Sequence, residues 1–507
     1  MNIIDKAIAL VSPSLALKRV TNQAKLQMMD RQVRRWEGAA HGPRFSSFGN
    51  AKTESVNQAI ARDQRNLVAR SQYLTNNNPY AKRAPRLIAN NVIGTGIVPT
   101  FADLSGKKKN VTSISAAWSE WAGGLSCDYD GNYTFYGLQK LAMKNIVVDG
   151  TVFIVRKRVK SSVNRFGIQV LMLGSEYLDR TKHTYTGGIY SNDGYDFYGI
   201  RYDADNKRVG YWIYERNPLD GNIKSTLIPA KDIVHLFEVD RPQQYNGVPF
   251  AASTILTQKD VDDYADAELM GKKAAACMPI FVTNSDPEAS GGGEGEGDED
   301  DDRLEILEPG SINYLKPNEQ VTIAQPPQNP GYSEYMKTNY RAIAAGYGCT
   351  YEQLTGDFSN VNFSSGRMGW IEFQRNVDDW QHMLIIPKFC EPILKWFLEA
   401  CEIVLGIKPG TVIATWTPPR REMIDPVKET NALRAQSRAG FKSWQEIVRS
   451  QGDDPEVVFR QMEEDYKRFI AANMTPEWSP YFLQKMMMEN SGKASQANMP
   501  TTDREAA

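Results

Sequence analysis

The chain has 507 residues, 41% of them hydrophobic and 24% charged, with a formal net charge of −2, an ordinary globular composition with room for two or more domains. No apolar run approaches the ~18 residues of a membrane-spanning helix. Five scattered cysteines without CxxC spacing argue against a disulfide framework or a zinc site, and four histidines leave few candidates for general-base work.

The opening, MNIIDKAIALVSPS, lacks a signal-peptide core and cleavage site, so an unsecreted chain with reduced thiols is expected. Charge is unevenly spread. Residues 1–110 carry 18 Lys/Arg against 6 Asp/Glu, which leaves the remainder at −14. Half of that deficit sits in GGGEGEGDEDDD (291–302), with Glu294, Glu296, Asp298, Glu299, Asp300, Asp301 and Asp302. Such blocks point to separated jobs with a polyanion nearby, or to a solvated arm and a disordered loop.

In chain order, residues 1–50 read as a basic arm, extended or partly helical. Thr53 is an N-cap candidate for a helix that ends at Asn76-Asn77-Asn78-Pro79, and YAKRAPRLIANNVIG is a second helix despite Pro85, closed by Gly94 and Gly96. Two more helices follow, SISAAWSEWAG and FYGLQKLAMKNIVVDG. The first sets Ile114, Trp118 and Trp121 on one side. After Asp149-Gly150 the period changes. TVFIVRKRV, FGIQVLML, YDFYGIRYD, RVGYWIYER and DIVHLFEV are five strands of a meandering sheet, so residues 50–250 make an α+β domain. A helix over 251–277, of about 40 Å at ~1.5 Å per residue, precedes a small β unit whose strands flank the acidic run. A helix over 331–356 returns, with Met336, Tyr340, Ile343 and Tyr347 as its apolar stripe. The two long helices thus bracket a compact unit like a stalk under a head. A third long helix opens near Ser364, with kinks expected at Pro387 and Pro392. A strand in TVIATWTPPRREMIDPVKE, three C-terminal helices and a mobile tail from about 474 complete the chain.

Motifs for chemistry are sparse. There is no G-x-x-x-x-G-K-[ST], G-x-S-x-G or H-E-x-x-H. Gly94-Thr95-Gly96 follows a helix and does not separate a strand from a helix, so it is a poor phosphate loop. Asp128, Asp130 and Asn132 in CDYDGNYTF lack the twelfth-position Glu of a calcium loop and read as a surface turn. His235 reads as a core histidine and His382 as a packing residue. The acidic run is not preorganised for a cation. No cofactor and no catalytic residue are expected.

GYGCTYEQLTGDFSNVNFSSGRMG (346–369) joins a helix end, a polar loop and a Ser-Ser-x-Arg helix start. It resembles the portal proteins of tailed bacteriophages, lambda-type. RNLVARSQYLTNNNPYAKRAPRLIANNVIGTGI (65–97) and VHLFEVDRPQQYNGVPFAAS (234–253) support the resemblance, which runs over about 50–470. It implies an α+β portal fold with a basic N-terminal arm (1–50), a wing (51–250) and stem helix 1 (251–278). A clip follows (279–331), with a flexible acidic insertion over 290–302. The remainder is stem helix 2 (332–356), a tunnel loop (357–366), a long kinked wing helix (367–405), a wing or crown helical region (406–473) and a flexible tail (474–507). It also implies a non-enzymatic dodecameric ring at one capsid vertex of the virion, assembled in the bacterial host cytoplasm. Double-stranded DNA passes through such a ring for packaging and ejection. Expected partners are the terminase large subunit, the major capsid or scaffold protein and the head-tail connector, and no membrane.

Duplex DNA carries one negative charge per ~1.7 Å of axis, so a conduit must avoid deep electrostatic traps. On that reading Asn360, Asn362, Ser364 and Ser365 make weak, replaceable phosphate contacts, while Phe358 and Phe363 anchor the loop. Arg367 is either a phosphate contact or, by preference, an ion-pair partner of a neighbouring copy. On the stem, Asp260, Asp262, Asp263 and Asp266 either repel DNA or pair with basic groups of the adjacent subunit. Lys272, Lys273, Lys337 and Arg341 are the stem cations. The seven carboxylates of the run form an outward or mouth-facing fringe, a docking surface for the packaging motor. Two other readings are a metal-dependent nuclease built on the acidic clusters and a nucleic-acid-binding module built on the basic arm.

Overall fold

The computed structural model describes residues 55–184, 194–221, 224–276, 280–284, 319–323, 331–472 and 474. The chain divides into two units, Met1–Ala59 and Ile60–Ala507. Only residues 55–59 of the first are described, so the basic arm lies outside the described residues. So do the acidic run and the tail beyond 474.

Helix α1 (Val56–Asn77) and helix α2 (Pro79–Val92) meet at Asn78, which caps the second. The Asn78 Oδ1 accepts the backbone N–H of Tyr80 and of Ala81, both at 2.9 Å, and Pro79 needs no partner in that first turn. Strand β1 (Val98–Asp103) follows and was not expected. It pairs antiparallel with β11 (Val412–Thr417), Val98 opposite Thr417. A partner more than 300 residues away leaves no local trace in a six-residue segment that contains Pro99.

Helices α3 (Lys108–Gly123) and α4 (Phe135–Asp149) carry the centre of the core. Ile114, Trp118 and Trp121 are all buried, on the side their spacing predicts. Trp118 meets Phe135 of α4 edge-on at 5.0 Å, Phe397 at 5.1 Å and Trp416 of β11 at 6.0 Å. Such aromatic contacts add to area burial and here join Trp118 to residues almost 300 positions further along the chain.

The strands form two main sheets, where the sequence predicts one meander. Strands β2 (Thr151–Arg158), β3 (Ile168–Leu173) and β8 (Ile233–Phe237) make a three-stranded sheet in the order β3-β2-β8, with Thr151 opposite Phe237. Between β3 and β8 lies a four-stranded antiparallel meander of β4 (Tyr195–Phe197), β5 (Ile200–Tyr202), β6 (Arg208–Tyr214) and β7 (Ser225–Pro229). YDFYGIRYD is therefore two strands. Tyr198 and Gly199, at φ 43° and 89°, turn the chain between them, as a two-residue hairpin requires.

Among the single residues, Asp128 caps its own turn, its Oδ2 accepting the N–H of Asn132 at 2.9 Å and of Tyr133 at 3.0 Å. His235 is a core histidine, stacked on Phe153 at 4.5 Å with its Nε2 between Thr151 and Asn246, and burial holds its pKa well below the usual value. His382 is exposed, contrary to the packing expectation. It lies two positions after buried Trp380, and residues two apart do not share a helix face.

The long helix is continuous but changes form. Helix α8 (Phe363–Asp379) passes through a π-helical segment (Trp380–Cys390) into α9 (Glu391–Leu405). Pro387 lies inside that segment and Pro392 in the first turn of α9, so the two prolines fall where the hydrogen-bond ladder changes register. Helices α10 (Pro426–Arg438), α11 (Trp444–Ser450) and α12 (Pro455–Ala471) are the three expected C-terminal helices, capped by Asp425, Ser443 and Asp454. Among the described residues, no helix is long and apolar enough to cross a membrane.

Candidate nucleic-acid interface

Helix α5 (Ile255–Ala276) and helix α6 (Tyr332–Gly346) bracket an antiparallel strand pair, β9 (Ile280–Asn284) with β10 (Glu319–Ile323). The first long helix expected from the sequence opens as a 3-10 turn over Phe250–Ser253. The second does not run to 356. It stops at Gly346, and Gly348 takes φ 72°. Thr350 then starts a separate short helix, α7 (Tyr351–Thr355), with a reciprocal capping box to Gln353. The Thr-x-x-Gln signal in TYEQ was there to be read. Of the expected apolar stripe, Ile343 and Tyr347 are buried, while Met336 and Tyr340 are partly buried against the core.

The pairing of α5 and α6 rests on a tyrosine seam that residue-type arguments missed. Tyr264 stacks on Tyr332 at 5.5 Å and meets Tyr335 edge-on at 4.8 Å, and the Lys272 ammonium lies 5.6 Å from the Tyr332 ring. Of Asp260, Asp262, Asp263 and Asp266 on α5, two are engaged within the chain. Asp263 pairs with Lys259 one turn away. Asp262 accepts the Asn78 side-chain amide at 2.8 Å, which fastens α5 to the start of α2. Burial raises the Asp262 pKa, against the Asn78 hydrogen bond. Asp260, Asp266 and Lys273 are exposed. Lys272 also approaches Glu268 at 3.8 Å, Lys337 is half-buried, and Arg341 lies over the Tyr351 ring at 5.8 Å.

The loop after α7 runs from Gly356 to Asn362, because α8 begins at Phe363. Phe363, Ser364, Ser365 and Arg367 are therefore helical residues, where the sequence placed the first three in the loop. The polar groups of the loop are largely spent on its own backbone. Asp357 accepts the Ser359 hydroxyl at 2.6 Å, the Ser359 N–H at 3.1 Å and the Tyr351 hydroxyl at 3.2 Å. The Ser359 side chain first, then its backbone, holds the Asp357 carboxyl below the usual range. The Asn362 Oδ1 accepts the Ser365 N–H at 2.8 Å, and the Ser365 Oγ accepts the Asn362 N–H at 3.2 Å. Asn362 and Ser365 thus form a capping box with each other. Phe358 and Phe363 are 60% and 58% exposed. They do not anchor the loop. The stretch before the loop is fastened by Arg83, whose Nε donates to the Gln353 carbonyl of α7 at 3.1 Å, and by Asn376, which donates to the Gly348 carbonyl at 2.9 Å. The loop exposes Phe358 and Asn360, and the first turns of α8 expose Phe363, Ser364, Arg367 and Met368.

Behind the break between α6 and α7 lies a cleft of about 460 Å³ with Glu238, Asp240 and Asp379 on its wall. Burial raises the Glu238 pKa, opposed by the Trp380 indole that donates to it at 3.3 Å and assisted by Asp240 and Asp379. Among the described residues no group of three or more His, Cys, Asp or Glu side chains is arranged to hold a metal ion.

A sequence model of the family described as "Phage portal protein, lambda family" matches residues 41–381. The chain is 26% identical over 480 residues to the probable portal protein of Halomonas phage phiHAP-1, covering 89% of this chain and 87% of the relative. It is 23% identical over 498 residues to portal protein B of Escherichia phage lambda, covering 87% and 91%. Among solved structures it is similar to a chain of the virion of a native gene transfer agent particle, at 14% identity and TM-score 0.45, over 76% of this chain and 92% of that one. The chain belongs to the lambda family of phage portal proteins.

Proposed function

We propose that copies of this chain form a closed ring at one capsid vertex of the virion, dodecameric as the family resemblance implies, around a channel for double-stranded DNA. In this reading α5 and α6 are the stem, the β9–β10 pair is the base of the clip, and the Gly356–Asn362 loop with the first turns of α8 faces the passing duplex. The terminase large subunit docks on the clip side. The capsid or scaffold protein meets the wing, and the head-tail connector follows the motor at the same opening. The chain itself transforms nothing.

The observation that supports the reading most is the self-sufficiency of the loop. Asp357, Asn362 and Ser365 satisfy the turn itself, which leaves two phenyl rings, a thioether and the side chains of Asn360, Ser364 and Arg367 exposed beside the hydrogen-bonded Ser359, Asn362 and Ser365. A lining that needs no hydrogen bonds from outside grips phosphates weakly, and weak grip lets a strongly charged polymer slide. Arg367 is the only Lys or Arg between Gly356 and Trp370, one cation per subunit. Phosphate contact then comes as a ring of single charges.

Replacing Phe358–Val361 with Gly-Ser-Gly-Ser in a reconstituted packaging reaction tests this. Rings are expected to form as before, while DNA uptake or retention falls at least tenfold. Uptake and retention at parental levels would remove the loop from the channel. A metal-dependent nuclease reading instead predicts divalent-dependent cleavage of DNA by the purified chain.

A further inference from the structure

A cavity of about 760 Å³ lies between strands β2 and β8 and the first half of α9. Arg156 and Arg158, two apart on β2, share one face of the sheet. Glu391, Lys395 and Glu399, spaced by four, share one face of the helix. Lys231 and Asp232 come from the 3-10 turn Ala230–Asp232 that leads into β8. The Trp396 indole donates to the Lys231 carbonyl at 2.8 Å, which fastens that turn to α9. The walls are therefore held by the fold itself, as those of ligand sites usually are.

The charges inside it are unevenly spent. The Arg156 side chain is only 13% exposed, yet among the described residues it makes one side-chain hydrogen bond, from Nη1 to Glu399 at 2.6 Å. Asp232 stands at 3.8 Å, past hydrogen-bond distance, and the buried Nε has no partner. A guanidinium carries five N–H donors, and leaving buried donors unmet is costly. The three carboxylates, by contrast, are committed. Glu399 holds Arg156, Asp232 lies between Arg156 and Arg158 at 3.8 and 3.9 Å, and Glu391 accepts the Trp416 indole at 2.6 Å. Arg158, Lys231 and Lys395 are exposed around them, so four cations face three anions. Such a site lacks negative charge, and a carboxylate matches the guanidinium fork. Between the charges Ile233, Val234 and Pro392 are apolar, which suits a peptide better than a free ion. A cavity of this volume is too small to admit a duplex.

We propose that this cavity docks an acidic peptide segment of a partner protein, with one carboxylate on the Arg156 guanidinium and a second among Arg158, Lys231 and Lys395. The proposal goes beyond the channel reading and does not rest on it. A five-residue probe tests it, four glutamates around a central benzoylphenylalanine, photo-cross-linked to the full-length protein and mapped by mass spectrometry. Adducts are expected within 230–234 and 391–399, whatever other segments the probe labels. Their yield is expected to fall about tenfold at low salt in a Lys231→Glu/Lys395→Glu variant, while Lys408→Glu, an exposed lysine outside the cavity, leaves it unchanged. Both substituted lysines are exposed, so the variant keeps the fold. Parental yield in the double variant, or no adduct in the two segments, would overturn the proposal. Displacement of these adducts by a duplex oligonucleotide would overturn it in favour of nucleic acid. Adducts that form on single subunits and vanish in assembled rings would overturn it in favour of a second copy as the occupant.

Discussion

Asp149 shows how a single residue at the end of α4 works against the fold it belongs to. It is buried, with one hydrogen bond from the Gln72 amide at 2.8 Å. Burial pushes its pKa up to about 6, against that hydrogen bond and with help from Glu176. A carboxyl raised in the folded state contributes stability that is full below about pH 4 and lost as the pH rises through about 6. At neutral pH the ionised group costs on the order of 3 kcal/mol, at ~1.4 kcal/mol per pKa unit. Asp149→Asn keeps the acceptor for Gln72 and removes the charge. Its thermal unfolding temperature is expected to exceed the parent's at pH 7, with the gap closing towards pH 4; parallel curves across that range would contradict the assignment. Residue types read well where one local rule decides. Asp128 as a turn residue and His235 as a core residue follow from their neighbours in sequence. Phe358 and Phe363 did not read, because an apolar ring in a polar loop is by default an anchor, and only coordinates reveal that it faces outward.

At the scale of elements, helical periodicity is the most legible feature and strand partners the least. Thr350, Asn362, Asp425, Ser443 and Asp454 all cap helices through their own side chains, a pattern that Ser, Thr, Asn and Asp announce locally. Even so, the break at Gly346–Thr350 was read through as helix, since the apolar spacing to Tyr347 continues across it. The pairings β1–β11 and β2–β8 span long stretches of chain, and an insertion between paired strands erases the meander pattern. The clearest test belongs to the loop-closing cap. Asn362→Ala removes the side-chain half of the box, the Oδ1 that accepts the Ser365 N–H, at a cost of about 1 kcal/mol. Amides of Ser364 to Gly366 are expected to exchange about fivefold faster, with α9 unaffected; unchanged exchange would mean that the loop is held by something other than its own cap.

At the scale of the molecule, the sequence and the family agree on the whole and differ on how the parts are joined. The core runs through Trp118, Phe135, Phe397 and Trp416, so a continuous network of rings links α3, α4, α9 and β11. One end of α8 continues into that core through the π-helical segment, and the other ends at the Gly356–Asn362 loop. A helix rooted in the aromatic core therefore carries a short, self-bonded loop at its other end, as the proposed channel role requires. Leu256, Leu269, Met270 and Tyr335 leave apolar surface exposed on α5 and α6, which neighbouring copies would cover in the proposed ring. Electron microscopy of the purified full-length protein under particle-assembly conditions measures the central claim most directly. The account predicts closed rings of identical subunits with a central opening wide enough for duplex DNA; a population of single subunits with no opening under those conditions would contradict it.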